Sequence, residues 1–128
     1  MRTSFQVMAK CDEGYLCEVC GEDVADLSDS ALYLQYVIGW IDPETLHTRR
    51  ESHLRCQPNL AQFIDDPQFD PPITIEGAFD RRQMDPNFAA ERAELVTRGF
   101  RRLWELQTQR RDLTVVDYPL PEAKAKWR

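Results

Sequence analysis

No run of this sequence is long and apolar enough to cross a bilayer, which takes about 20 residues, so a membrane is not an expected partner. Its first residues, Met1-Arg2-Thr3-Ser4-Phe5-Gln6, lack the apolar core of a signal peptide, and a cytoplasmic protein is the expectation. There is no internal repeat and no low-complexity tract. A glycine-rich phosphate loop and a nucleophile elbow are both missing, which removes two common routes to catalysis. Only two histidines are present, and no second histidine–carboxylate cluster is found in the sequence. An enzyme is therefore the less favoured reading. Glu18, Glu22 and Asp23 are the acidic residues near the candidate site that would serve one.

What is present is ordinary for a folded protein. Hydrophobic residues make up 42% of the 128 and charged residues 30%, which argues against disorder of the whole chain. A chain of this length fits one domain with its own core. The net charge of −6 is unevenly spread. Residues 1–95 carry 18 acidic and 8 basic side chains, and residues 96–128 carry 4 and 8. The acidic body disfavours general binding to nucleic acid. The basic last third keeps a local exception, with Arg98, Arg101, Arg102, Arg110 and Arg111 beside Phe100 and Trp104 as its contacts. Arginines near a helix C-terminus also suit the helix dipole with no partner at all.

The patterning is that of an α+β protein, mainly helical, with short strands and one long C-terminal helix. Ser4-Phe5-Gln6-Val7-Met8 reads as a short strand. Residues 29–38 read as a helix capped by Ser28 or Asp29 and ended by Gly39. It is apolar almost all round, so it is either buried on most sides or used at an interface. Residues 43–56 read as a second helix, with Asp42 as its cap, Pro43 in its first position and Pro58 enforcing its end. A short helix follows over residues 58–64. Residues 65–72 form a linker rich in proline and aspartate. Ile73-Thr74-Ile75-Glu76 and Leu113-Thr114-Val115-Val116 read as strands. Between them the spacing predicts a helix over 86–108, opened by Asp85 and Pro86. Its stripe is Phe88, Ala89, Arg92, Val96, Phe100, Leu103 and Gln107. Residues 1–64 form the metal-binding part, residues 65–118 pack on it within the same domain, and 119–128 are expected to be an extended, mobile tail.

The four cysteines carry the most specific signal. Disulfides are not expected in a reducing compartment. Cys17-Glu-Val-Cys20-Gly21 is a Cys-x-x-Cys turn, and Gly21 lets the backbone curl so that amides point at sulfur. His53-Leu-Arg-Cys56 places two further ligands three residues apart, on one face if the segment is helical. Three thiolates and one imidazole suit Zn²⁺ in a tetrahedral shell. With Cys17, Cys20, His53 and Cys56 all bound, no position is left for water or substrate, so the ion is expected to be structural. Alternatives remain: cysteines as small buried hydrophobes, or Cys17 and Cys20 as a redox dithiol. Cys11 could replace one ligand, whereas His47 projects away from Cys56 on a helix.

Residues 15–56, with their Cys-x-x-Cys-Gly turn followed by a later ligand pair, resemble a treble clef zinc knuckle. They depart from it over residues 23–42, which read as helical where a treble clef has a β-hairpin. His53-Leu-Arg-Cys-Gln-Pro-Asn-Leu-Ala-Gln-Phe-Ile64 is similar, together with Leu32-Tyr-Leu-Gln-Tyr-Val37 and Val96-Thr-Arg-Gly-Phe-Arg-Arg-Leu103, to a family of small uncharacterised bacterial zinc-binding proteins of planctomycete type. That resemblance implies no activity and transfers no functional residues. The expected function is a zinc-stabilised protein-interaction module, with nucleic-acid binding as the alternative and a zinc enzyme behind both.

Overall fold

The computed structural model describes residues 16–109 and 113–126. Among these, five α-helices follow one another: α1 (Ala31–Val37), α2 (Pro43–Leu46), α3 (Pro58–Ala61), α4 (Pro86–Gln109) and α5 (Pro121–Lys126). Single 3₁₀ turns occur at Leu27–Asp29, Leu54–Cys56, Arg81–Gln83 and Val115–Asp117. The mainly helical single domain and its one long helix are as expected. Strand pairing among the described residues is confined to two isolated antiparallel bridges, Leu16 with Asp23 and Ser30 with His53. Residues 73–76 pair with no strand, and residues 115–117 coil into a 3₁₀ turn. Four-residue apolar runs are too short to hold a sheet without neighbours. The strand expected over residues 4–8 lies outside the described residues.

The helix start at α1 is set one or two residues later than the sequence suggests. Ser30 is the cap, and its Oγ accepts from the Tyr33 N–H at 3.0 Å. Gly39 ends the helix with φ of 92°, a left-handed conformation that glycine adopts without strain. Ala31, Leu32, Tyr33, Leu34, Tyr36 and Val37 are all buried within the chain. The apolar circumference of α1 is thus used up by the core.

The second helix is much shorter than the expected 43–56. Asp42 and Pro43 start it as read, with Asp42 Oδ1 accepting from the Thr45 N–H at 2.6 Å. It stops at Leu46 because no apolar residue follows until Leu54. Both leucines are buried, and the seven polar residues between them give a helix no face to bury. The chain instead continues without regular structure through Glu51 and Ser52. The Ala31 N–H donates to the Ser52 carbonyl at 2.9 Å, which ties this segment to the start of α1.

Helix α4 packs Ala89, Ala93, Val96, Phe100 and Leu103 into the core. Its contact with α1 turns on Gly99. A Cβ at that position would collide with Ile38 Cγ2 and lie 2.7 Å from Leu34 Cδ1. Glycine costs about 1 kcal/mol against alanine inside a helix, and here it lets the two helices approach. Gly99→Val is expected to lower stability by about 1–3 kcal/mol through overpacking, read as a fall in the urea midpoint. An unchanged midpoint would show that the α1–α4 contact has room to spare.

The C-terminal segment is not an extended tail over its described residues. Pro121 opens α5, whose Ala123 is buried against Gly39. The Leu120 N–H donates to the Val37 carbonyl at 2.9 Å, and Lys126 Nζ donates to the Gly39 carbonyl at 2.9 Å. Tyr36 donates its hydroxyl hydrogen to the Val115 carbonyl at 3.0 Å. Leu120, buried like Ala123, gives the segment an apolar anchor that its charged composition conceals.

Candidate metal centre

Three short pieces of chain build the site. The first is the turn at Cys17–Cys20. The Gly21 N–H donates to the Cys17 carbonyl, and the Cys17 N–H donates to the Glu22 carbonyl, both at 2.8 Å. Gly21 has φ of 80°, which closes the turn as the sequence predicts. The second piece is His53, held extended by its bridge to Ser30. The third is the 3₁₀ turn Leu54–Cys56, which swings Cys56 back beside His53. The expected helical face for His53 and Cys56 is therefore replaced by a cap and a 3₁₀ turn, which bring the same two side chains together.

The ligand atoms of Cys17, Cys20, His53 and Cys56 all lie within 4.8 Å of one another. His53 Nδ1 is 3.4 Å from Cys20 Sγ and 3.8 Å from Cys56 Sγ. A tetrahedral ion with metal–sulfur bonds of about 2.3 Å and a metal–nitrogen bond of about 2.0–2.1 Å needs sulfur–nitrogen edges of about 3.6 Å. These two edges bracket that length, so Cys20, His53 and Cys56 are spaced as a tetrahedral ion needs, and Cys17 Sγ lies within 4.8 Å of all three. His47 is exposed at the end of α2, away from this cluster. Cys11 lies outside the described residues.

The surroundings prepare each ligand. His53 Nε2–H donates to the Asp23 carbonyl at 2.9 Å, which fixes the ring and leaves Nδ1 for the ion. The Asp29 carboxylate stands 3.8 Å from the same nitrogen. Burial pushes the Asp29 carboxyl up. For the His53 ring, burial pushes down, but the Asp23 carbonyl, the Cys17 sulfur and the Asp29 charge more than reverse it. Burial pushes the Cys17 thiol up, yet N–H groups of Cys20, His53 and Val19 outweigh it and bring the thiol to about 6. Two of those amides, Val19 and His53, sit 3.4 Å from Cys17 Sγ. Cys56 behaves in the opposite way. Burial, then the Cys17 and Cys20 sulfurs, push it up to about 12. A positive ion among the three sulfurs would offset both the burial and the sulfur repulsion behind that rise.

Sequence patterns gave no sign of the brace behind the site. Glu51 is fully buried, and both of its carboxylate oxygens accept from Ser30 Oγ at 2.9 Å. It also accepts from the Ser52 N–H at 3.2 Å, while its carbonyl accepts from the Glu18 N–H at 2.9 Å. One residue thereby joins the cysteine turn, the segment that leads into His53 and the cap of α1. In sequence it is one glutamate in a polar run, of the type usually found solvated. Glu18 and Glu22 are exposed, and Asp23 acts on the site through its carbonyl.

The basic residues of α4 are mostly engaged within the chain. Arg98 pairs with Glu122, Arg101 with Asp66 and Arg102 with Glu105. Arg102 also donates to the Tyr118 and Asp117 carbonyls at 2.9 Å. Phe100 is core. Arg110 and Arg111 lie outside the described residues.

Among the described residues, no helix is long and apolar enough to cross a membrane. Comparison with protein families, with curated proteins and with solved structures finds no match for the chain. The site's own chemistry is therefore the basis for function: a cluster of three cysteines and one histidine that can bind a metal ion.

Proposed function

We propose that Cys17, Cys20, His53 and Cys56 hold one structural Zn²⁺, and that the folded chain serves as a small protein-interaction module of the cytoplasm. The observation that carries the metal reading is the convergence of four ligand atoms, within 4.8 Å of one another, from two segments 33 residues apart. Zinc is favoured because three sulfurs and one imidazole form a borderline-soft shell, and because such a shell is closed. Reduced thiols are needed throughout, which supports a reducing compartment. The resemblance to small bacterial proteins of planctomycete type belongs to this proposal and adds no activity to it.

The interaction reading needs a surface other than α1, whose apolar faces are buried. Exposed aromatics supply one: Trp40 and Phe88 flank the Arg92 guanidinium at 4.6 and 4.7 Å from their ring centres. Elemental analysis of the purified protein is expected to give one zinc per chain. Zinc far below that ratio, after refolding with excess Zn²⁺ under reducing conditions, would remove the basis of the proposal.

A further inference from the structure

A cleft of about 420 Å³ is bounded by the cysteine turn, α1 and the segment that follows α2. Thr48, Arg49, Arg50, Ser52 and Gln57 line it, with Glu18 as its one acidic residue. None of the four metal ligands is part of the lining, so its chemistry is not that of the metal centre. Its size falls within the range of ligand pockets, roughly 300–1,000 Å³.

The guanidinium groups of Arg49 and Arg50 have no partner among the described residues. Every other described arginine is engaged. Five form ion pairs, and Arg55 and Arg92 lie over aromatic rings. Carboxylates outnumber cations in this chain of net charge −6, yet none of the described ones pairs with these two. Two guanidiniums without a counter-charge in one polar cleft attract an anion. The lining adds donors that the chain does not use. Ser52 is 4% exposed, and its Oγ accepts from Gln57 Nε2 at 3.2 Å. The hydroxyl hydrogen of Ser52 has no acceptor among the described residues, and Gln57 keeps a second amide hydrogen. Buried polar groups normally find partners, so an acceptor is missing from this cleft.

Two guanidiniums, a hydroxyl and an amide offer more than one carboxylate can use, because a carboxylate brings a single charge and two oxygens. A phosphoryl group carries about −1.5 to −2 charge and three acceptor oxygens. Arginine forks receive such groups in parallel hydrogen bonds. What bears the phosphoryl follows from the rest of the lining. No aromatic residue among the described ones lines the cleft, so a base has no platform to stack on. Glu18 and the acidic body oppose a run of phosphates. Leu32 is the one apolar residue of the lining, which leaves the ring of a phosphotyrosine little to pack on. A single phosphoryl on a short side chain of a neutral backbone meets none of these obstacles. We propose that the cleft binds a phosphorylated serine or threonine of a partner protein. This rests on the interaction reading above, not on the metal, and gives that partner a chemistry.

The probe is acetyl-Ala-Ala-phosphoserine-Ala-Ala-amide, titrated into the ¹⁵N-labelled full chain. Saturable shifts are expected at the Arg49, Arg50 and Ser52 amides, and none with the same peptide bearing plain serine. Arg49→Ala and Arg50→Ala are each expected to weaken binding by about three- to tenfold. Both side chains are exposed, so these variants keep the core. Glu18→Gln removes the opposing charge and is expected to strengthen binding about twofold. Arg82→Ala, outside the cleft, is expected to leave it unchanged. Absence of saturable shifts, or equal shifts with the serine peptide, overturns the cleft assignment and leaves the interaction reading to Trp40 and Phe88. Equal binding of a peptide with glutamate at the phosphoserine position overturns it in favour of an acidic segment. Tighter binding of oligothymidylate overturns it in favour of nucleic acid. Inorganic phosphate that binds as tightly as the peptide overturns the partner, and the interaction reading with it, in favour of a small phosphate compound.

Discussion

A Cys56→Ser variant is expected to purify with well under one zinc per chain and to lose ordered structure around residues 16–56 before α4 melts. Structural zinc sites of this kind bind with an apparent free energy of about 10–16 kcal/mol, against a total stability of about 5–15 kcal/mol for a typical domain. Little else holds the cysteine turn in place. Of its four residues only Cys17 is buried, and Glu18, Val19 and Cys20 are exposed. It is joined to the rest of the chain by the Glu18–Glu51 backbone bond and the His53 amide on sulfur. A serine in place of Cys56 offers a hydroxyl that ionises far less readily than a thiol. A strong chelator applied to the native chain is expected to reproduce the variant. Acid acts in the same direction. Without an ion Cys56 is a protonated thiol, pushed up to about 12, and metal binding must expel that proton. Affinity therefore falls as pH falls, as for any site whose ligands must deprotonate. Elemental analysis and a thermal melt followed by circular dichroism check the set. A melt unchanged by chelator would show that the four side chains hold nothing the fold needs.

The site was legible in the sequence because its signal is chemical. Cys17, Cys20, His53 and Cys56 need only reach one point, and the chain brings them there by a route that the pattern did not specify. The helix expected over 43–56 would have presented His53 and Cys56 on one face, yet the chain uses a bridge and a 3₁₀ turn for that purpose. Two local capping signals act as read, Asp42 with Pro43 and Gly39 at the end of α1, whereas the start of α1 is capped by Ser30 in place of Ser28 or Asp29. They set where a helix begins or stops. They do not set how far it runs when apolar spacing gives out, as it does after Leu46. The long helix was legible throughout, because its stripe repeats over 24 residues. The ordered segment 113–126 was not. Its anchors are Leu120, Ala123 and backbone carbonyls of α1 and its end, a tertiary pairing that no local pattern encodes. Glu51 was hidden for the same reason: its burial depends on Ser30, a residue 21 positions away.

Phe100→Ala is expected to lose about 3–5 kcal/mol of stability, the usual cost of deleting a buried phenylalanine. As sequence, Phe100 stands among Arg98, Arg101 and Arg102 and reads equally well as a stacking contact for nucleic acid or as core. Its ring is 2% exposed and packs edge-on against Phe69 and Trp104. The arginine beside it is in the opposite position. Arg101 is largely exposed, and its Nε donates to Asp66 at 2.6 Å. That hydrogen bond holds the Asp66 carboxyl below its ordinary value. The folded-state shift is a depression, so its contribution is present above the unfolded carboxyl pKa and is lost as pH falls through the folded one. Asp66 is mostly covered, but the arginine stands in solvent, and screening keeps such a pair to about 0–1 kcal/mol. Arg101→Ala is therefore expected to lower the urea midpoint only slightly at neutral pH, and to leave it unchanged in acid where Asp66 is protonated. The two variants together separate the readings of this helix. A core role for Phe100 gives a large loss in the first and a small one in the second, with no retention of the native protein on heparin at low salt. A nucleic-acid face requires salt-sensitive heparin retention that Arg101→Ala weakens, and a Phe100→Ala variant that unfolds near the native midpoint. Against a total of about 5–15 kcal/mol, a loss of this size is a large share of the stability, which a single denaturation curve distinguishes from a binding defect.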